Sequence, residues 1–307
     1  MSQDFTPSQI LKSLSDATAE VVEKAASSLV SVISEKHGHR GSGVIWSSDG
    51  YIVTCSHVVS KSKTVTIGLE DGRKLEANVV GQDSYSDVAL LKIEDGGTFE
   101  PIEQGDSESI KVGQFALAVA KFTGRHPSAT SGMITNVGLS FQGWRGMTMD
   151  NLIVTDAPLN PGYSGGPLLD ASGKMIGMNA AYAWSRGLSI PVSTIKRVTD
   201  GLVREGKVQR AYLGIKSSTI MLPQEIATQE EVNQEEGVMV FWVEKDSPAK
   251  KAGLALGDII VKFDEKPVTN VYDLPKLLTE EVIGKKTKLE VLRGEKPINL
   301  TITPIAA

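Results

Sequence analysis

Ile10, Leu14, Ala17, Val21 and Ala25 recur at helical spacing near the start of the chain. Thr6-Pro7-Ser8-Gln9 precedes them as a helix start, with a capping Thr, Pro in the first turn and Gln at the third position. The stripe predicts a helix whose apolar face packs most simply on the body that follows. Leu29-Val30-Ser31-Val32-Ile33 then opens a first strand. From there to about Pro191, short β-rich runs alternate with Gly, Ser and Asp turns, the pattern of a sandwich or barrel. Ser193 begins a second helix, with Ile195, Val198 and Leu202 on one face and Gly206 at its end. Glu205-Gly206-Lys207-Val208-Gln209-Arg210 reads as a linker.

Composition narrows the class. At 307 residues, two domains are expected, and 40% hydrophobic with 22% charged residues suits a globular protein with sizeable cores. A net charge of −5 without a long basic cluster gives no support for nucleic-acid binding. The single cysteine, Cys55, leaves no intramolecular disulfide and reads as a strand-packing thiol. No apolar stretch reaches the roughly 20 residues of a membrane span. Met1-Ser2-Gln3-Asp4-Phe5-Thr6-Pro7 lacks the layout of a secretory signal. The expectation is a cytoplasmic protein, or else the mature part of an exported one.

The candidate chemistry centres on Gly162-Tyr163-Ser164-Gly165-Gly166-Pro167. Glycines around a serine allow a tight turn that exposes a hydroxyl. The backbone N–H groups there can converge on one substrate oxygen, as acyl transfer requires. Alone, the hexapeptide fits an ordinary glycine-rich turn equally well. A nucleophile needs a base. His37, His39 and His126 lie in polar loop-like segments, whereas His57 follows the alternating run Tyr51-Ile52-Val53-Thr54-Cys55. Asp87 opens the apolar run Asp87-Val88-Ala89-Leu90-Leu91-Lys92-Ile93, where a carboxylate needs a partner such as an imidazole. A strand-capping Asp is the plain alternative. The G-x-S-x-G pattern also fits α/β-hydrolases, but their histidine follows the serine, and no histidine follows His126 here. The order His57, Asp87, Ser164 is that of chymotrypsin-like proteases.

These segments resemble the HtrA (Deg) protease family. Thr54-Cys55-Ser56-His57-Val58-Val59, Asp87-Val88-Ala89-Leu90-Leu91, Gly41-Ser42-Gly43-Val44 and the run from Thr155 through Pro167 to Leu168 carry the likeness. The resemblance implies a mostly β protein, with a chymotrypsin-like double antiparallel β-barrel followed by a smaller α+β PDZ domain. It divides the chain into an N-terminal helical segment over residues 1–27, a protease domain over 28–208 and a PDZ domain over 209–307. His57, Asp87 and Ser164 would be catalytic, and the N–H groups of Gly162 and Ser164 would hold the oxyanion.

Two positions depart from the family. Tyr163 stands where Asn is usual, and its side chain is expected to shield the site or contact substrate if it does not simply shape the backbone. Ala120-Lys121-Phe122-Thr123-Gly124 replaces the usual G-N-P-[FY]-G loop. Tyr163 also lacks the carboxylate that zymogen activation would use. By resemblance, Pro158, Leu188 and Ser189 would line a substrate pocket without charge, favouring a small or medium apolar side chain.

From Ala211 to about Pro304 the chain resembles a PDZ domain. Tyr212-Leu213-Gly214-Ile215 matches the carboxylate-binding loop, Ser247-Pro248-Ala249 and Gly257-Asp258-Ile259 the core, and residues 271–278 the groove helix. The acidic run from Glu230-Glu231 to Glu235-Glu236 reads as a solvated loop.

The resemblance implies an ATP-independent serine endopeptidase that degrades unfolded or damaged proteins. It implies C-terminal or exposed peptide segments bound at the PDZ domain, a homotrimer or higher oligomer, and no metal or organic cofactor. A low-activity chaperone or scaffold, and a PDZ adaptor on a protease fold, stay open as alternatives.

Overall fold

The computed structural model describes residues 6–34, 38–60, 62–94, 97–122, 126–142, 148–183, 185–206, 210–227, 232–271 and 273–306. Of the positions singled out above, His37, Thr123, Gly124, residues 1–5, residues 207–209, Glu230 and Glu231 lie outside the described residues. The chain divides into two units, residues 1–207 and 208–307.

Helix α1 (Pro7–Ala26) begins with a reciprocal cap: Thr6 accepts from the Gln9 N–H, and the Gln9 side chain accepts from the Thr6 N–H. Only its last turns pack. Ala25 and Ala26 are buried, while Ile10, Leu11 and Leu14 are exposed. The expected packed stripe therefore holds for the C-terminal end alone, because the first barrel begins only after Ser28 and the earlier turns have nothing beside them within the described residues.

Two closed barrels follow. The first is built from β1 (Leu29–Ser34), β2 (His39–Ile45), β3 (Tyr51–Cys55), the single helical turn α2 (Ser56–Val59), β4 (Thr64–Gly68), β5 (Lys74–Asp83) and β6 (Val88–Ile93). Its strand order is β1-β2-β3-β6-β5-β4, and β1 pairs back to β4. The second contains β7 (Phe115–Ala120), β8 (Ser128–Gln142), β9 (Thr148–Thr155), β10 (Pro167–Asp170), β11 (Met175–Ala183) and β12 (Arg186–Pro191). Its order is β10-β11-β12-β9-β8-β7, closed by the β10–β7 pair. Closure gives each barrel strand a neighbour on both sides and leaves no open sheet edge. Val32, Ile52, Ile67 and Leu91 are buried in the first barrel; Ala118, Ile153, Leu168 and Leu188 are buried in the second.

Helix α3 (Val192–Glu205) buries Ile195, Val198 and Leu202 and ends at Gly206, whose φ of 68° is the left-handed C-terminal cap.

The second unit comprises β13 (Ala211–Tyr212), β14 (Ile215–Met221), α4 (Gln224–Ala227), β15 (Glu236–Val243), α5 (Pro248–Lys251), β16 (Ile259–Phe263), β17 (Lys266–Pro267), α6 (Asp273–Leu277), β18 (Thr287–Arg293), β19 (Lys296–Ile302) and β20 (Ile305–Ala306). The main sheet runs β14-β15-β16-β18-β19, with β14 outermost. Val238, Val240, Ile260, Phe263, Leu289 and Val291 form its core, closed by Leu274 of α6. No described helix is long and apolar enough to cross a membrane.

Candidate active site

Strand pairing brings His57 and Asp87 together. The antiparallel β3–β6 ladder sets Cys55 opposite Val88, so the residues just past one and just before the other meet at one end. Asp87 is 1% exposed, and both its oxygens are used. The His57 Nδ1–H donates to Oδ2 at 2.7 Å, and the His57 backbone N–H donates to Oδ1 at 3.0 Å. A carboxylate so engaged fixes the ring's orientation and tautomer, leaving Nε2 as acceptor. Asp87 adopts φ 57°, an uncommon left-handed conformation for a non-glycine residue. Burial lowers the His57 pKa, but the hydrogen bond and charge of Asp87 outweigh it, and the net shift is upward from 6.5.

Ser164 lies in the turn between β9 and β10. Gly162 has φ 96°, and a Cβ there would lie 2.2 Å from Cγ of Phe122, so both backbone and neighbour require glycine. The Gly162 carbonyl accepts from the Ser42 hydroxyl at 2.8 Å, and the Tyr163 N–H donates to the Asn160 carbonyl at 3.0 Å. Among the described residues, the N–H groups of Gly162 and Ser164 have no acceptor in the protein. The Ser164 hydroxyl donates to the Ala180 carbonyl at 3.0 Å, and no hydrogen bond joins it to His57.

Asn179 of β11, which sequence reading missed, holds this turn. It is fully buried and accepts the Gly165 N–H on its carbonyl at 2.8 Å. Its N–H donates to the Gly166 carbonyl at 2.8 Å, its Nδ2 donates to the Pro167 carbonyl at 2.9 Å, and its Oδ1 accepts from Ser189 at 3.0 Å. The Cys55 thiol also donates to the Asn179 carbonyl, at 3.3 Å, linking the two barrels. An amide inside the apolar run Met178-Asn179-Ala180 was the available signal, since a buried amide demands partners.

Tyr163 does not shield the site. It is 3% exposed and belongs to the second barrel's core with Ala118, Ile134, Ile153 and Leu168. Burial raises its phenol pKa, partly offset by a hydrogen bond with Thr130. It also borders a pocket of about 240 Å³ beside Ser164, lined by Leu159, Asn160, Pro161, Ala180, Ala181 and Tyr182 as well. Pro158, Leu188 and Ser189, expected from the resemblance to line a substrate pocket, are not among the residues lining this cavity. Pro158 is exposed, with its carbonyl held by Thr130; Leu188 and Ser189 are fully buried, and Ser189 is committed to Asn179.

Lys121, in the loop that departs from the family, is 1% exposed. Its ammonium donates to the Leu29 carbonyl at 3.3 Å, and burial lowers its pKa against the raising effect of Glu70 and Asp71. His39 and His126 are exposed. Ligand atoms of Cys55, His57 and Asp87 lie within 4.8 Å of one another. The 2.7 Å His57–Asp87 separation is a hydrogen bond, however, and burial followed by the Asp87 charge pushes the Cys55 thiol well up, against the thiolate a metal would need.

In the second unit, Tyr212 ends β13 and Ile215 begins β14. Gly214 between them has φ 82°, and a Cβ there would lie 2.3 Å from Cβ of Ser247. The Leu213 carbonyl accepts from the Ala249 N–H at 2.9 Å, and the Gly214 carbonyl from the Glu244 N–H at 2.8 Å. The Val271 N–H donates to Thr219 at 3.0 Å, bringing the segment before α6 beside the outer strand β14. An outer strand beside a helix is the arrangement that adds a peptide as a further strand.

Residues 41–178 match the trypsin-like peptidase domain family, and residues 213–303 match the PDZ domain family. The chain is 35% identical over 269 residues to the periplasmic serine endoprotease DegP of Escherichia coli (strain K12), covering 85% of this chain and 56% of that protein. It is 36% identical over 275 residues to the putative serine protease HhoB of Synechocystis sp., covering 86% and 66%. The chain thus spans between about half and two thirds of the length of these relatives. Among solved structures, the HtrA-type protease AlgW with tripeptide matches with a TM-score of 0.82 at 30% identity, covering 94% of this chain and 97% of that one. The relatives DegP and DegQ of Escherichia coli are periplasmic endoproteases, and this overturns the expected cytoplasmic placement, which rested on the first few residues and on the lack of an apolar span. With a double-barrel peptidase domain, a PDZ domain and these relatives, the chain belongs to the HtrA family of trypsin-like serine proteases.

Proposed function

We propose that this chain is an ATP-independent serine endopeptidase acting on unfolded or damaged proteins. The observation that carries the reading is the His57–Asp87 pair, doubly bonded at 2.7 and 3.0 Å, together with the unused N–H groups of Gly162 and Ser164. His57 takes the Ser164 proton as Ser164 attacks the peptide carbonyl. The two N–H groups hold the oxyanion, and His57 then protonates the leaving amine. Asp87 stays ionised and stabilises the imidazolium. Water releases the acyl-enzyme by the same route.

The PDZ unit binds C-terminal or exposed peptide segments along β14, with Tyr212, Leu213, Gly214 and Ile215 at the carboxylate end. The exposed Ile10, Leu11 and Leu14 of α1 support subunit contact in a homotrimer or higher oligomer.

A second reading has its own observation. The Ser164 hydroxyl rests on Ala180, which suits a chaperone or scaffold that cleaves slowly. Incubation with unfolded casein, comparing the parent with Ser164→Ala, separates the two. Cleavage lost in the variant supports the peptidase. Casein left intact by both, with aggregation suppressed, favours the chaperone, and tight peptide binding alone favours a PDZ adaptor.

A further inference from the structure

We infer that Ser42 is the positioning residue of the oxyanion-binding turn, a role that rests on the peptidase reading above. Ser42 belongs to β2 of the first barrel and is fully buried. Its hydroxyl accepts the Lys121 N–H at 2.8 Å and donates to the Gly162 carbonyl at 2.8 Å. Its N–H donates to the Ser164 carbonyl at 2.9 Å, and its carbonyl accepts the Thr54 hydroxyl at 2.7 Å. One residue therefore grips the carbonyls of both residues whose N–H groups would meet the oxyanion.

The physical consequence is local. The peptide joining Gly162 to Tyr163 is pinned at both ends, by Ser42 on its carbonyl and by Asn160 on its N–H. A carbonyl free to rotate toward the cleft would set a partial negative charge against the developing oxyanion. Held on β2, the Gly162 and Ser164 carbonyls are committed elsewhere. Preorganised donors stabilise the transition state more than the ground state, because they need no reorganisation during reaction. The chain of bonds also gives the departing loop a place. Lys121 contributes its backbone N–H to Ser42, so the link is independent of that loop's side-chain sequence. Ser42 itself touches neither His57 nor Asp87 through a hydrogen bond, so the base is untouched.

The test compares the parent with Ser42→Ala on a peptide substrate, and on two ligands of one peptide sequence. One ligand ends in a boronic acid, which forms a tetrahedral adduct; the other ends in an amide, which does not. Losing a direct oxyanion donor lowers kcat by about 10²–10³, so a residue acting through the turn is expected to lower it about tenfold or more. Boronate affinity falls by a similar factor. KM, amide affinity and the pH midpoint of kcat/KM stay within about twofold of the parent, a split that general loss of structure would not produce. Thermal unfolding confirms that the variants are folded at the assay temperature. Should Ser42→Ala not fold, Ser42→Cys, of similar shape but with a weak donor, is read in the same way and is expected to fall between. A folded variant of either kind with parental kcat and boronate affinity overturns the inference, as does an equal loss of boronate and amide binding. A parent that cleaves nothing yet binds boronate in a Ser42-dependent way counts against the peptidase reading and for this one.

Discussion

The Ser164 hydroxyl donates to the Ala180 carbonyl at 3.0 Å and not to His57. A hydroxyl has one proton, so attack requires that this bond be exchanged for one to the imidazole. Catalytic hydrogen bonds in ligand-free sites commonly tighten only when substrate arrives.

Asp87→Asn tests the base. In the proposed mechanism kcat/KM rises as His57 loses its proton, and Asp87 raises that pKa from 6.5. The acid limb of the parent therefore lies above the ordinary imidazole value. In the variant the limb moves to lower pH, and kcat drops by about 10⁴-fold because the tautomer is no longer enforced. An unmoved limb in the pH–rate profile argues against the pair.

Gly162→Ala is expected to abolish most hydrolysis while leaving the fold. Its φ of 96° strains any other residue by about 1–3 kcal/mol. Its Cβ would also meet the Phe122 ring at 2.2 Å. Adding Phe122→Ala removes the overlap but not the strain, so kcat recovers in part. Full recovery would show that only the ring mattered.

Lys121→Met removes a buried ammonium whose pKa is lowered by burial. Between that lowered value and 10.5 the unfolded chain binds more protons, so the parent gains stability as pH rises. The variant should lose this alkaline gain and resist urea at least as well near neutral pH. Its activity is retained, because the bond to Ser42 uses the backbone N–H.

The pocket beside Ser164 has no charged residue in its lining. Peptides with Ala, Val, Ile or Leu before the cut should be cleaved in preference to those with Lys or Arg there. A strong preference for a basic residue in a peptide panel would contradict this geometry.

Gly214→Ala should weaken binding of a peptide with a free C-terminus by roughly tenfold, from the strain at φ 82° and the Ser247 contact at 2.3 Å. Amidating the peptide should weaken binding to the parent but matter less to the variant. Calorimetry reads both.

Local signals carried much of this protein. The Thr6/Gln9 cap, the Gly206 stop and the strand before His57 were all legible, because each depends on residues within a few positions. Motif order singled out His57, Asp87 and Ser164, since chain order alone separates the two serine-hydrolase designs. Tertiary structure decided the rest. Asn179 and Ser42 reach the Gly162–Ser164 turn from separate strands, Ser42 from 120 positions away, so a buried amide or a short motif could mark each residue but not the atoms it holds. The cavity beside Ser164 is lined by Ala180 and Ala181 while Leu188 and Ser189 are buried, because barrel closure sets which face of a strand is enclosed. Tyr163, read from sequence as shaping the backbone or else covering the site or contacting substrate, is buried in the second barrel's core, a placement only the packing shows. Sequence determined which groups could react; packing of the two barrels decided which polar atoms are satisfied, and so which N–H groups of the Ser164 turn have no acceptor among the described residues.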